Sequence, residues 1–261
     1  MRTRCFDALT NDEITAYLRH NDLIYLPVGT VEMHGAMPVG AEYVLPLAFA
    51  HRFAEETDGL VLPHLAYFYP GATAIGRGTI SITPSGGAAY LEEISRSLCR
   101  QGFRRQVFLT AHGPAHVTLS TVVREVFEET QCIALYLDLL RYFGEADFDL
   151  LVWGAYHLLG RLDEIPQDQQ PVTRVPKPEA LAKLGRPGVQ VGWFFSDETQ
   201  HGWWPPEPLT PEQRQQRAEQ GLAQLEAVVA GVAVKNLAEG MRDLDKYIQH
   251  HVLPKHQDRL P

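Results

Sequence analysis

Between residues 29 and 42 the chain reads Gly29-Thr30-Val31-Glu32-Met33-His34-Gly35-Ala36-Met37-Pro38-Val39-Gly40-Ala41-Glu42. Glu32 and His34 are two residues apart, so on an extended backbone their side chains share a face. Gly35 and Gly40 let the loop turn back, which brings Glu42 toward the same point. Carboxylate, imidazole and carboxylate form a hard-to-borderline donor set suited to Zn²⁺, Mn²⁺ or Fe²⁺. Glu-x-His is also short and common, and the same spacing describes an ordinary strand–loop whose polar groups cap the next helix. Two later junctions carry similar chemistry: Ala111-His112-Gly113-Pro114-Ala115-His116, and Ser196-Asp197-Glu198-Thr199-Gln200-His201. His116 doubles as a helix-start residue. His201 sits beside Trp203-Trp204-Pro205-Pro206, which reads as an apolar pocket rim.

The elements that must position these groups follow from periodicity. Leu23 to Val28 is an apolar run stopped by Gly29, the pattern of a strand buried on both faces of a parallel sheet. Leu60–Pro63, Gln106–Thr110, Cys132–Leu137 (with Asp138 at its end) and 189–195 read as further strands. Helices are predicted from an Asn11 N-cap, over 44–56, over 90–100 with Gly102 as C-cap, over 117–129 and over about 150–159. A long helix opens at Thr210-Pro211 and runs to about Leu237. The Gly- and Tyr-rich stretch 67–78, which contains Tyr69, reads as a pocket wall or a plain surface excursion. Residues 163–187 read as a polar, proline-rich loop or small excursion. Strand–helix alternation predicts an α/β fold in three layers, a mainly parallel sheet flanked by helices, and 1–261 fits a single domain.

Composition narrows the function classes. A formal net charge of −9 argues against a nucleic-acid surface. No apolar run reaches membrane-spanning length, and Met1-Arg2-Thr3-Arg4 leads into polar sequence, so neither membrane nor secretion is expected. Cys5, Cys99 and Cys132 form no spaced framework, which points to a reducing, cytoplasmic setting.

Taken together, the three junctions resemble the creatininase (creatinine amidohydrolase) family. Its Gly-[Ser/Thr]-x-Glu-Gln-His-Gly corresponds to Gly29–Gly35, followed by Pro38-Val39 and Glu42. Its middle section resembles Gly76-Arg77-Gly78-Thr79-Ile80-Ser81, Arg96-Ser97-Leu98, Gly102-Phe103-Arg104-Arg105 and His112-Gly113. Its His-Ala-Gly-x-x-Glu-Thr corresponds to Trp193-Phe194-Phe195-Ser196-Asp197-Glu198-Thr199. This chain departs from the pattern at several points. Glu42 replaces an Asp, Met37 stands near a missing histidine, Pro114 stands where creatininases have a glutamate ligand, and Trp193 replaces a histidine.

The resemblance implies a divalent metal, two ions per subunit of Zn, Mn or Fe, at the strand ends. It places Glu32, His34, Glu42, His112 and Glu198 on ligand positions, with Glu42 as the bridge. It also implies attack of metal-bound hydroxide, formed by a water whose pKa falls to about 7, on a small-molecule carbonyl. Trp193 cannot carry a proton, so that role falls to His201 or His116, with Trp193 and Tyr69 as substrate-binding residues. The departures argue against creatinine itself. The expected activity is hydrolysis of a small cyclic or linear amide. The alternatives are C–C hydrolysis of a cyclic polyol-derived diketone, and a non-catalytic metal-binding homologue. A homo-oligomer is implied, with a hexamer among the options.

Overall fold

The computed structural model describes residues 1–63, 65–184 and 191–256. Its main elements run α1 (Asn11–Leu18), β1 (Leu23–Pro27), α2 (Ala41–Thr57), β2 (Leu60–Val61), α3 (Pro84–Gln101), β3 (Arg105–Thr110), α4 (His116–Thr130), β4 (Ile133–Asp138), α5 (Phe148–Leu158), α6 (Glu179–Leu184), α7 (Pro211–Val232) and α8 (Val234–Tyr247). Local chemistry sets the boundaries. Thr10, not Asn11, caps α1: its hydroxyl accepts from Glu13 N while the Glu13 carboxylate accepts from Thr10 N. Gly102 ends α3 at φ 105°, a conformation that side chains resist. Thr210 and Gln213 box the start of α7, with Pro211 in its first turn.

Among the described residues the sheet has strand order β2-β1-β3-β4, and every pairing is parallel. All residues of β1 and β3 are buried, which requires cover on both faces. Alternate residues supply it. Leu23, Tyr25, Val107 and Leu109 pack with α2, α5, α7 and α8, whereas Ile24, Leu26 and Phe108 pack with Tyr17 of α1, Leu91 of α3 and Leu119 of α4. The expected three layers are therefore present. After β1 the chain moves to β2 on one side, then crosses to β3 on the other. The carboxyl ends of β1 and β3 thus flank the point where open α/β sheets hold their sites.

Several expectations are corrected. Residues 191–195 form no strand: Phe195 N bonds Ala72 O instead of a sheet neighbour. Residues 189 and 190 of that predicted strand lie outside the described residues. The long helix stops at Val232 because Ala233 takes a left-handed φ of 51°, and α8 starts directly after it at Val234. Within the stretch 163–187, Glu179–Leu184 form the helix α6, and residues 185–187 lie outside the described residues. The helical run Pro211–His256 has the length and hydropathy of a membrane span, contrary to the reading of the sequence. Leu225, Val228, Val229 and Val232 nevertheless bury its apolar face in the core. Where α5 meets α7, a Cβ on Gly221 would lie 2.0 Å from Leu150 O, so the helices touch backbone to backbone.

Candidate metal centre

Two sheet ends and one distant segment build the centre. The loop after β1 turns back on itself through Glu32 N to Val39 O at 2.8 Å. That return places Glu42 in the first turn of α2, where the helix dipole favours a carboxylate. The close return needs Gly29, because a Cβ there would sit 2.5 Å from Glu42 O. His112 follows β3 directly. Its Nε2 donates to Tyr69 O at 2.9 Å, which leaves Nδ1 as the lone-pair nitrogen. The Thr73 hydroxyl lies 2.9 Å from Glu32 Oε2 and holds that carboxylate in place.

His201 arrives from the far part of the chain. Gly35 and Trp203 form a parallel bridge, and Ala36 N donates to Trp203 O at 2.8 Å. Two glycines make this clasp possible. A Cβ on Gly35 would lie 2.2 Å from Trp203 O, one on Gly202 would lie 2.1 Å from His34 C, and both residues have positive φ. The clasp sets the His34 and His201 rings edge to face, with centroids 5.2 Å apart.

Ligand atoms of Glu32, His34, Glu42 and His201 all lie within 4.8 Å of one another. His201 Nε2 is 3.4 Å from Glu32 Oε1, and His34 Nδ1 is 3.5 Å from Glu42 Oε1. The other Glu42 oxygen lies 3.7 Å from His112 Nδ1, so this one carboxylate faces imidazoles on both sides. Glu32, His34, Glu42 and His112 are buried. Both His34 ring nitrogens, Glu42 Oε2 and His201 Nε2 are buried without a hydrogen-bond partner. Buried polar atoms without partners are costly in a protein interior unless a water or a cation satisfies them. The donor set, carboxylates and imidazoles, fits a divalent transition metal.

Electrostatics favours the ligating forms of two residues. Burial alone would raise the Glu42 carboxyl, but the imidazoles of His112, His34 and His201 outweigh it and hold the group below its ordinary value. Burial pushes His34 down, only partly offset by Glu42 and Glu32. For His112 burial is outweighed by Glu42, Glu32 and the Tyr69 carbonyl, which lift it above its ordinary value.

The remaining predicted residues divide. Glu198 does not join this group: it is exposed, and its Oε1 accepts from Arg77 N at 2.9 Å. The backbone amide of Arg77 captures that carboxylate at the surface, and His201 occupies the place expected for it. A cavity of about 670 Å³ opens onto the centre, and His116, Trp193 and Tyr69 lie on its wall with Phe195. His116 Nδ1 donates to Gly113 O at 2.7 Å. Trp193 packs edge-on against Phe195 with ring centroids 4.6 Å apart. A second cavity of about 390 Å³ reaches His34, Glu42 and His201 from another side, past Asp149, Arg174 and Lys177. Thr73 and the clasp escaped sequence reasoning. One signal was available: His34-Gly35, His112-Gly113 and His201-Gly202 are all His-Gly pairs.

A parallel α/β sheet with carboxylates and imidazoles converging at its switch point puts a candidate divalent-metal site where open α/β folds bind their ligands. The sequence model of the family described as creatininase (creatinine amidohydrolase) matches residues 7–162. The chain belongs to this creatininase family. It is 32% identical over 155 residues to a creatinine amidohydrolase of Pseudomonas putida, covering 55% of this chain and 54% of that one. It is also 32% identical over 114 residues to a 3-dehydro-scyllo-inosose hydrolase of Thermotoga maritima, covering 43% and 37%. The chain thus spans about half the length of the first of these curated relatives and less of the second. A solved manganese creatininase superposes with a TM-score of 0.67 over 93% of this chain and 98% of the other, at 21% identity.

Proposed function

We propose that the chain is a divalent-metal-dependent hydrolase of a small amide, cyclic or linear. The observation that carries this reading is the buried cluster of unpaired carboxylate and imidazole atoms at the switch point. Glu32, His34, Glu42, His112 and His201 would hold the metal. One oxygen of Glu42 lies near His34 and the other near His112, so both would be available to hold a metal. A bound divalent ion supplies Lewis acidity toward a carbonyl and activates water at neutral pH. The chain's own part is to orient and to carry protons. Thr73 fixes Glu32, and the Tyr69 carbonyl fixes the His112 tautomer. Trp193, Phe195 and Tyr69 give the larger cavity an apolar wall against which a small ring lies.

Of the two candidate proton donors, His201 has its Nε2 facing Glu32 within the cluster. The proton for a leaving nitrogen is therefore assigned to His116, whose ring the Gly113 carbonyl orients on the cavity wall. A second reading is ring opening of a cyclic ketone by C–C cleavage. Its support is the likeness to the inosose hydrolase and the absence of the family's histidine at Trp193. The protein is proposed to take Zn, Mn or Fe, two ions per subunit, to assemble as a closed homo-oligomer, and to act in the cytoplasm.

The test is a screen of metal-reconstituted protein against lactams, formamides and cyclic ketones, with metal content measured in parallel. Turnover of an amide that stops on chelation and returns with metal is the expected result. Failure to retain any ion after reconstitution would defeat both hydrolase readings. Turnover of ketones alone would replace the first with the second.

A further inference from the structure

The centre opens onto two cavities of opposite character. The larger is walled by Tyr69, Trp193 and Phe195. The smaller, about 390 Å³, reaches His34, Glu42 and His201 past Arg174, Lys177 and Asp149. Its two cations are exposed, but each is tethered by a neighbour. Arg174 Nε donates to Thr199 O at 3.0 Å, and Val175 N donates to Thr199 Oγ1 at 2.9 Å. Gln200 Nε2 donates to Pro176 O at 2.6 Å, and Lys177 Nζ stands 5.3 Å from the centre of the Phe195 ring. The strap 174–177 is thereby tied to the turn that delivers His201.

Two fixed cations beside a site built for divalent cations repel its occupant. Such placement is favourable only where an anion also enters. The carboxyls on this wall are Asp149 and Glu42; Glu42 faces the centre, where a metal would draw on it, which leaves Asp149 as one carboxyl against two cations. Charge therefore remains to be met.

Building on the amide-hydrolase reading, we infer that the substrate carries an acidic group, carboxylate or phosphoryl. Arg174 and Lys177 bind that group while the rest of the molecule lies in the aromatic cavity. The scissile carbonyl then falls between the two cavities, at the centre. Guanidinium and ammonium suit either acid, the former through paired N–H donors.

The experiment uses the metal-loaded protein and three matched formamides: N-formylglycinamide, N-formylglycine and N-formylaminomethylphosphonate. The acidic members should exceed the neutral one in kcat/KM by about tenfold or more, mainly through KM, the scale of one charged hydrogen bond. Which of the two acids leads identifies the group. In the double variant Arg174→Ala/Lys177→Ala the acidic-to-neutral ratio should fall to near one. A neutral compound that matches the acids, or a ratio that survives the double substitution, overturns the inference while leaving the hydrolase reading intact. If none of the three is turned over, calorimetric binding decides. Tighter binding of the acids to wild type than to the double variant supports the anion site, and equal binding rejects it.

Discussion

The chain before residue 163 and the chain after it contribute to the centre by different means. The earlier part supplies Glu32, His34, Glu42 and His112 from the ends of buried strands and the start of a helix. Their positions are set by sheet hydrogen bonds and a packed core. The later part supplies His201, Trp193, Arg174 and Lys177 from irregular backbone, held by a glycine clasp and a few side-chain bonds. The family match covers only the earlier part. The contrast separates two kinds of support: the sheet ends hold four of the five candidate ligands, and the later segment adds His201 and the walls of the cavities that reach them. Loops on a rigid scaffold are where such variation is tolerated.

The largest effect should come from the earlier part. Glu42→Ala removes the carboxylate that faces His34 and His112 together. Bound metal and turnover should fall by more than the 10–100-fold typical of outer-shell partners, measured by elemental analysis and rate. An equally metal-rich variant would break the assignment of this part as the donor scaffold. The clasp comes next. Gly202→Ala meets both a positive φ and a backbone carbon 2.1 Å from the new Cβ. It should cost about 3 kcal/mol of stability in denaturant titration and weaken metal binding. A neutral outcome would mean that the later part is not locked to the first.

Smaller effects sharpen the boundary. His201→Ala should lower metal affinity roughly 10–100-fold, whereas Glu198→Ala should leave it nearly unchanged, because that carboxylate serves Arg77 N. The reverse ranking would restore the assignment made from sequence. The pH dependence is the mildest test. His112 holds its proton above the ordinary imidazole range, and a metal must displace that proton. As pH falls, apparent metal affinity should therefore begin to drop at a pH above the ordinary imidazole value, followed by metal titration. His34, shifted down, adds no loss until lower pH. A profile that declines only below the ordinary imidazole value would count against this account of His112.

The sheet and its helices were legible because each is a local pattern: Leu23–Pro27 is wholly apolar, and Leu91 and Leu98 repeat at helical spacing. The donors on the strand-end loops were legible for the same reason, since strand ends mark site positions. What lay beyond reach was tertiary. Nothing in the spacing of Glu198 and His201 says which of them turns inward. That choice is made by Arg77 N and by the fit of Gly202 against His34. The apolar run 191–195 mimics a strand because aromatic residues there line a cavity instead of pairing in the sheet. The stop at Val232 depends on one left-handed residue, Ala233, that has no sequence mark.

The clasp between Gly35 and Trp203 also has a meaning in time. A chain leaving the ribosome presents the loop after β1 and both neighbouring strands long before residues 201–203 are made. Until they are, His34 lacks the ring that packs against it and the backbone partner that steadies its neighbour Gly35. The loop that carries Glu32 and His34 is therefore made first and clasped only later, once residues 201–203 have been added.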